Sequence, residues 1–106
     1  MVREVAGRIV GRLAVLRAMS LGVAGRLDRG ERPDLEAALV KDLGTSFEQQ
    51  LPEWIGDAID AVPEVPASDA LLRTLAYVMQ IKPTFSLRGG TRQIMRGIIA
   101  RGLGLR

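Results

Sequence analysis

The stretch DLEAALVKDLGTSFEQQL, residues 34–51, decides the fold, because its large apolar residues recur at every fourth position. This spacing places them along one side of an α-helix. Pro33 in the first turn, with Asp34 and Glu36 near the positive end of the helix dipole, marks the start. Pro52 lies inside the series and predicts a kink or a restart. The apolar series comprises Leu35, Leu39, Leu43, Phe47, Leu51, Ile55 and Ile59.

Upstream of this stretch, a first helix is predicted from Val2 to Asp28. Gly30 is placed to end it in the left-handed conformation, and the short link to Pro33 is typical of antiparallel neighbours. Val10 and Leu21 lie off its main apolar stripe, as does Ala14. A helix that is apolar on more than one side is normally covered on more than one side. The main stripe comprises Val2, Val5, Ile9, Leu13, Leu16, Val23 and Leu27.

Downstream, two prolines interrupt the pattern between Ala61 and Ser68. Ser68 is a candidate cap for a third helix, residues 69–81, and Thr91 for a fourth, residues 92–102. The residues predicted to face inward are Leu71, Leu72, Leu75, Val78, Met79, Ile94, Met95, Ile98 and Ile99. No segment shows the two-residue period of a strand. Residues 1–106 therefore read as one all-α domain, an up-down four-helix bundle.

Charge is unevenly distributed along the chain. Residues 1–32 hold seven Arg against three acids, residues 33–79 hold two basic residues against nine acids, and residues 80–106 hold six basic residues and no acid. This segregation predicts that basic and acidic surfaces meet within the fold or between chains, with a nucleic-acid surface as the competing interpretation. The chain has no Cys and no His, which excludes disulfides, thiol nucleophiles and imidazole bases.

The last segment begins with Gly89-Gly90-Thr91 and offers two local interpretations. The glycines could make a turn that Thr91 caps, or the helix start could face an anion. No Lys follows the glycines as a phosphate-binding P-loop would require. The wider pattern over residues 89–105, GGTRQIMRGIIARGLGL, closely resembles the C-terminal signature of acyl-CoA dehydrogenases. Asp28-Arg29-Gly30 and the segment 37–43 with Lys41 are similar to further family segments in the same order.

The resemblance implies the C-terminal helical domain of a flavoenzyme that removes hydrogen from an acyl-CoA thioester and passes hydride to FAD. It implies FAD contacts for Thr91 and Gln93. Gly89 stands where many members have the catalytic Glu, so no catalytic residue is predicted and the chain is expected to be inactive alone. The family's other two domains and the first helix of its bundle have no counterpart in these residues. Where the family has a glycine-rich segment that touches a neighbouring subunit's FAD, Asp60 to Glu64 is acidic.

Three hypotheses about function follow. The first is this helical domain of an acyl-CoA dehydrogenase-like protein, in a homo- or hetero-oligomer, with acyl-CoA bound only in a complete enzyme. The second is the same domain in a non-catalytic subunit. The third is a free-standing basic helical module that binds protein or nucleic acid, which ranks lowest because no aromatic residues alternate with the Arg residues. No metal site, export signal or membrane segment is predicted, and we expect a cytoplasmic protein.

Overall fold

The computed structural model describes residues 2–105, and all regular structure in that range is helical. The four predicted α-helices are confirmed, and a short 3-10 helix follows the third. Helix α2 continues through Pro52 without a break, so of the two predicted alternatives, a kink or a restart, the restart does not occur. The elements are α1 (Val2–Asp28), α2 (Asp34–Asp60), α3 (Asp69–Ile81), the 3-10 helix (Lys82–Leu87) and α4 (Arg92–Gly102).

Local signals set the ends of three helices as predicted. Gly30 follows α1 with a φ of +78°, a left-handed conformation that costs glycine little. The Ser68 hydroxyl accepts a hydrogen bond from the backbone N–H of Leu71 at 3.2 Å and caps α3. The Thr91 hydroxyl accepts from the N–H of Ile94 at 3.4 Å and caps α4. Each cap satisfies a backbone donor that the first helical turn leaves free.

Helix α1 packs along α2 as an antiparallel hairpin. Val5 near the start of α1 lines a groove together with Ile59 near the end of α2. Val23, towards the end of α1, lines another groove with Leu39, near the start of α2. The short link from Asp28 therefore reverses the chain as predicted, and α1 makes no extended packing with α3 or α4 in the described chain.

Helix α3 lies against the second half of α2 and also runs antiparallel to it. A Cβ built on Gly56 would lie 3.9 Å from a Leu75 methyl group, which shows how closely the two helices approach. At the end of α3, the Gln49 amide donates a hydrogen bond to the Lys82 carbonyl at 3.1 Å. This bond fixes the 3-10 helix on α2.

Helix α4 lies against the first half of α2 and continues in the direction of α3. Its first residue, Arg92, contacts Gln49, whereas its last residue, Gly102, lies against Leu35. The up-down alternation predicted from sequence therefore ends at the third helix. The physical reason is that the 3-10 helix, held by Gln49, advances the chain along α2 instead of reversing it.

The resulting molecule is long and has a sparse core. It measures 53 × 24 × 22 Å and has a radius of gyration of 16.9 Å, against about 13 Å for a compact domain of this length. No side chain in residues 2–105 is less than 2% exposed. The buried apolar residues are Val5, Pro33, Ala38, Phe47, Pro52 and Met95.

Many large apolar side chains consequently remain exposed. On α1, Val10 and Leu21 are 65% and 61% exposed, which agrees with the prediction of apolar residues on more than one side. Four residues predicted to face inward are instead exposed, because α3 and α4 each contact α2 along a single narrow strip. These four are Leu71, Leu72, Met79 and Ile94.

Some of the segregated basic residues pair with acidic residues of α2 within the fold, which is one of the predicted outcomes. Arg26 from the basic first segment pairs with Glu36 on α2. From the basic last segment, Arg88 pairs with Glu48, also on α2. Lys82 pairs with Glu53 in the same way. Exposed pairs of this kind each contribute little free energy, so they orient the helices on α2 more than they stabilise them.

Candidate functional site

The candidate site is the turn at residues 88–91 together with the first turn of α4. Gly89 and Gly90 have φ values of +68° and +138°, so both occupy conformations that residues with a side chain rarely adopt. A Cβ on Gly90 would also lie 2.6 Å from the Met95 methyl group. The glycine pair is therefore required by the turn itself, which agrees with the simpler of its two interpretations.

The two predicted cofactor-binding residues lie at the start of α4, Thr91 as its N-cap and Gln93 in its first turn. Thr91 is half-buried and its oxygen accepts the capping bond, which leaves its O–H free to donate to another group. Gln93 is exposed, and its amide makes no hydrogen bond with any residue of the described chain. Both side chains stand at the positive end of the α4 dipole. Each side chain therefore has a donor available at the start of α4.

Arg92, between them, points the other way and fastens α4 to α2. One of its terminal nitrogens donates to the Gln49 amide oxygen at 2.8 Å and to the Ser46 hydroxyl at 3.2 Å. Its Nε lies 3.8 Å from Asp42 Oδ1. The Arg92 Nε and the Asp42 Oδ1 are both buried, and neither has a hydrogen-bond partner among the described residues. Charge attraction across this gap therefore acts without a direct hydrogen bond.

Replacing Arg92 with Met should lower the free energy of unfolding by about 1–3 kcal/mol, because Asp42 would be left half-buried without a countercharge. Arg96→Met is the matched control on the same helix. Arg96 is exposed and makes no ion pair within residues 2–105, so its loss should change stability by no more than about 0.5 kcal/mol. Urea denaturation followed by circular dichroism measures both; equal effects would contradict the role given to Arg92.

Sequence reasoning placed Lys41 in a family segment but gave it no position in the site. A Cβ built on Gly89 would lie 3.7 Å from Lys41 Cε. The Lys41 ammonium donates to the Thr45 hydroxyl at 3.0 Å. No local signal could reveal this juxtaposition, because it depends on α4 running back along α2 from residue 49 to residue 35.

Lys41 and Gly89 form part of a groove of about 660 Å³ between α2 and α4, with Ala38, Met95 and Ile98 in its walls. Arg101 lies at the same groove. Lys41 makes no ion pair with a residue of the described chain. Asp34 also lines the groove, which therefore combines an apolar wall with two basic side chains and one carboxylate. This lining suits a polar group with an apolar portion.

The remaining residues named from sequence lie elsewhere. Asp60 and Glu64 are exposed at the opposite end of α2 from this groove. In residues 2–105 no three acidic side chains meet as a metal site would require. The arrangement at residues 88–93 can bind by hydrogen bonding and positive potential, but Gly89 supplies no group that could take a proton.

Comparison with protein families, characterised proteins and solved structures found no match to this chain. None of the helices described between residues 2 and 105 has both the length and the apolar character needed to cross a bilayer.

Proposed function

We propose that this chain is the C-terminal helical domain of a cytoplasmic acyl-CoA dehydrogenase-like flavoprotein, and that the domain is inactive alone. The observation behind the proposal is the pattern of residues 89–105, in which a glycine turn, a capping Thr91 and an exposed Gln93 open a final helix. The start of α4 supports it, since the Thr91 hydroxyl and the Gln93 amide both lie there with donors available.

In this proposal Thr91 and Gln93 contact FAD. The free O–H of Thr91 and the free amide of Gln93 suit the carbonyl, hydroxyl and phosphate oxygens of a flavin nucleotide, and the start of α4 favours negative charge. When bound in a complete enzyme, FAD would accept hydride from an acyl-CoA thioester. The domain itself would orient the cofactor and exclude water; it would not move a proton.

A second candidate is the same domain in a non-catalytic subunit, paired with a chain that supplies the base. The backbone of Gly89 favours it. Its φ of +68° lies in the left-handed region, where a residue with a side chain costs about 1–2 kcal/mol. Two of the arginines that the nucleic-acid alternative would use face acids on α2 instead, namely Arg88 and Arg92.

Isolation of the tagged chain from its own cells tests the proposal. We expect the isolated assembly to show the visible absorption of flavin, and Gln93→Ala to release flavin without dispersing the assembly. Gln80→Ala is the matched control, since Gln80 is also an exposed helical amide but lies on α3. Thr91→Ser, which keeps the hydroxyl, should retain flavin. A colourless assembly, or equal flavin content in the Gln93 and Gln80 variants, would contradict the proposal.

A further inference from the structure

Gln49, on α2, contacts both ends of the segment that carries the candidate site. Its amide nitrogen donates to the Lys82 carbonyl oxygen at 3.1 Å, and its amide oxygen accepts from a terminal nitrogen of Arg92 at 2.8 Å. A carbonyl can only accept and a guanidinium can only donate, so these two partners fix the orientation of the amide. One half-buried side chain therefore links the first residue of the 3-10 helix to the first residue of α4.

The other contacts between this segment and α2 hold one end or impose little geometry. The carboxylates of Glu48 and Glu53 form ion pairs with it, but both side chains are about half exposed. Exposed ion pairs contribute little free energy. Ser46 and Asp42 contact only the α4 end of the segment. Among the described residues, Gln49 alone has hydrogen bonds to both ends.

The backbone between the two attachments has little that fixes it locally. Gly89 and Gly90 form the turn, and glycine loses more conformational freedom on folding than any other residue. The capping bond from the Ile94 N–H to the Thr91 hydroxyl is long, at 3.4 Å. The arrangement of the turn therefore depends on how its two ends are held against α2.

We propose that Gln49 is a positioning residue, which holds both ends of this segment so that Thr91 and Gln93 are presented in a fixed arrangement. Gln49 acts through Arg92 and not by contact with a ligand. The ligand in this inference rests on the proposed function, which assigns flavin to the start of α4. A site that is already arranged before binding loses less conformational entropy when the ligand arrives, so it binds more tightly.

Two substitutions separate the two bonds of Gln49. Gln49→Met keeps an unbranched side chain of similar length and removes both bonds. Gln49→Glu keeps an oxygen that accepts from Arg92 but loses the donor to the Lys82 carbonyl. Gln50→Met is the matched control, because Gln50 is the next residue, is exposed and makes no hydrogen bond with another described residue.

Hydrogen exchange on the chain without added flavin is the first readout. The amides of Ile94 and Met95 donate to the hydroxyl and the carbonyl of Thr91. In Gln49→Met these two amides should exchange about tenfold faster, because α4 has lost a bond from its first residue to α2. In Gln49→Glu the increase should be confined to the 3-10 helix, residues 82–87. Gln50→Met should change neither region.

Flavin content of the isolated assembly is the second readout. Gln49→Met should lower it at least about fivefold, whereas Gln49→Glu should retain it, since Arg92 keeps its acceptor. Val5→Ala is the comparison for a general loss of stability, because Val5 is buried on α1 at the other end of α2. It should lower the urea midpoint but leave both flavin content and the exchange of Ile94 unchanged.

The two readouts distinguish this inference from the flavin assignment. Unchanged exchange of Ile94 and Met95 in Gln49→Met, or equal loss of flavin from Gln49→Met and Val5→Ala, would overturn the role of Gln49. A colourless wild-type assembly in which Gln49→Met still speeds exchange at Ile94 and Met95 would contradict the flavoprotein and support the hold of Gln49 on the turn.

Discussion

Replacing Phe47 with Ala should lower the free energy of unfolding by about 3–5 kcal/mol, the largest effect expected in this chain. Phe47 is 7% exposed and packs edge-on against Trp54, with ring centroids 6.0 Å apart. Trp54 in turn lies beneath the Arg8 guanidinium of α1, whose Cζ is 5.2 Å from the ring centroid. Loss of the Phe47 ring would leave a cavity in a core that has few other buried side chains.

Because domains are stable by only about 5–15 kcal/mol, the Phe47→Ala chain should unfold at much lower urea concentration than the wild type. Tyr77→Ala is the control, since it also removes a ring but from a residue that is 62% exposed. It should change stability by no more than about 0.5 kcal/mol. If the two variants unfolded together, Phe47 would not be part of the core.

Replacing Met95 with Ala should cost about 2–4 kcal/mol and should act mainly on α4. Met95 is 8% exposed and is the buried apolar residue of α4. Its side chain fills the space beside Gly90 and forms part of the wall between α4 and α2. Without it, α4 would keep polar contacts through Arg92 but lose its principal apolar anchor.

Urea denaturation gives the total cost, and hydrogen exchange gives its location. Amides of residues 92–102 should exchange faster in Met95→Ala, with a smaller change in α1. Met79→Ala is the matched control, because Met79 is 41% exposed on α3. Equal losses in the two methionine variants would contradict the packing described for α4.

Helix positions could be predicted from sequence because their signals are local. The four-residue spacing in α2 and the caps at Ser68 and Thr91 depend only on neighbouring residues. The segregation of charge predicted that basic and acidic surfaces meet, but it left open whether they meet within the fold or between chains. Which Arg meets which acid was not predictable, since it depends on how the helices are placed on α2.

The direction of α4 and the exposed face of α3 could not be read from sequence. Helix α3 has apolar residues over a wide arc, and the close approach at Gly56 selects which of them faces α2. The 3-10 helix that directs α4 is held by a bond between Gln49 and Lys82, 33 residues apart. No pattern within a single helix contains such information.

Some features of the candidate site could likewise be predicted from sequence, and others could not. The turn at Gly89 and Gly90 and the cap at Thr91 were predictable, because backbone conformation there depends on the residue type. The approach of Lys41 to Gly89 and the attachment of Arg92 to α2 were not, since both arise from the packing of α4. The roles of Thr91 and Gln93 towards FAD remain predictions that flavin content can test.

Hydrogen exchange on the wild-type chain in dilute solution tests most directly whether α2 is the central helix. It also tests whether the start of α1 is only weakly held in the fold. In dilute solution we expect the slowest amides in the middle of α2 and faster exchange over residues 2–17. If the amides of residues 2–17 were protected as strongly as those in the middle of α2, this description of the fold would be contradicted.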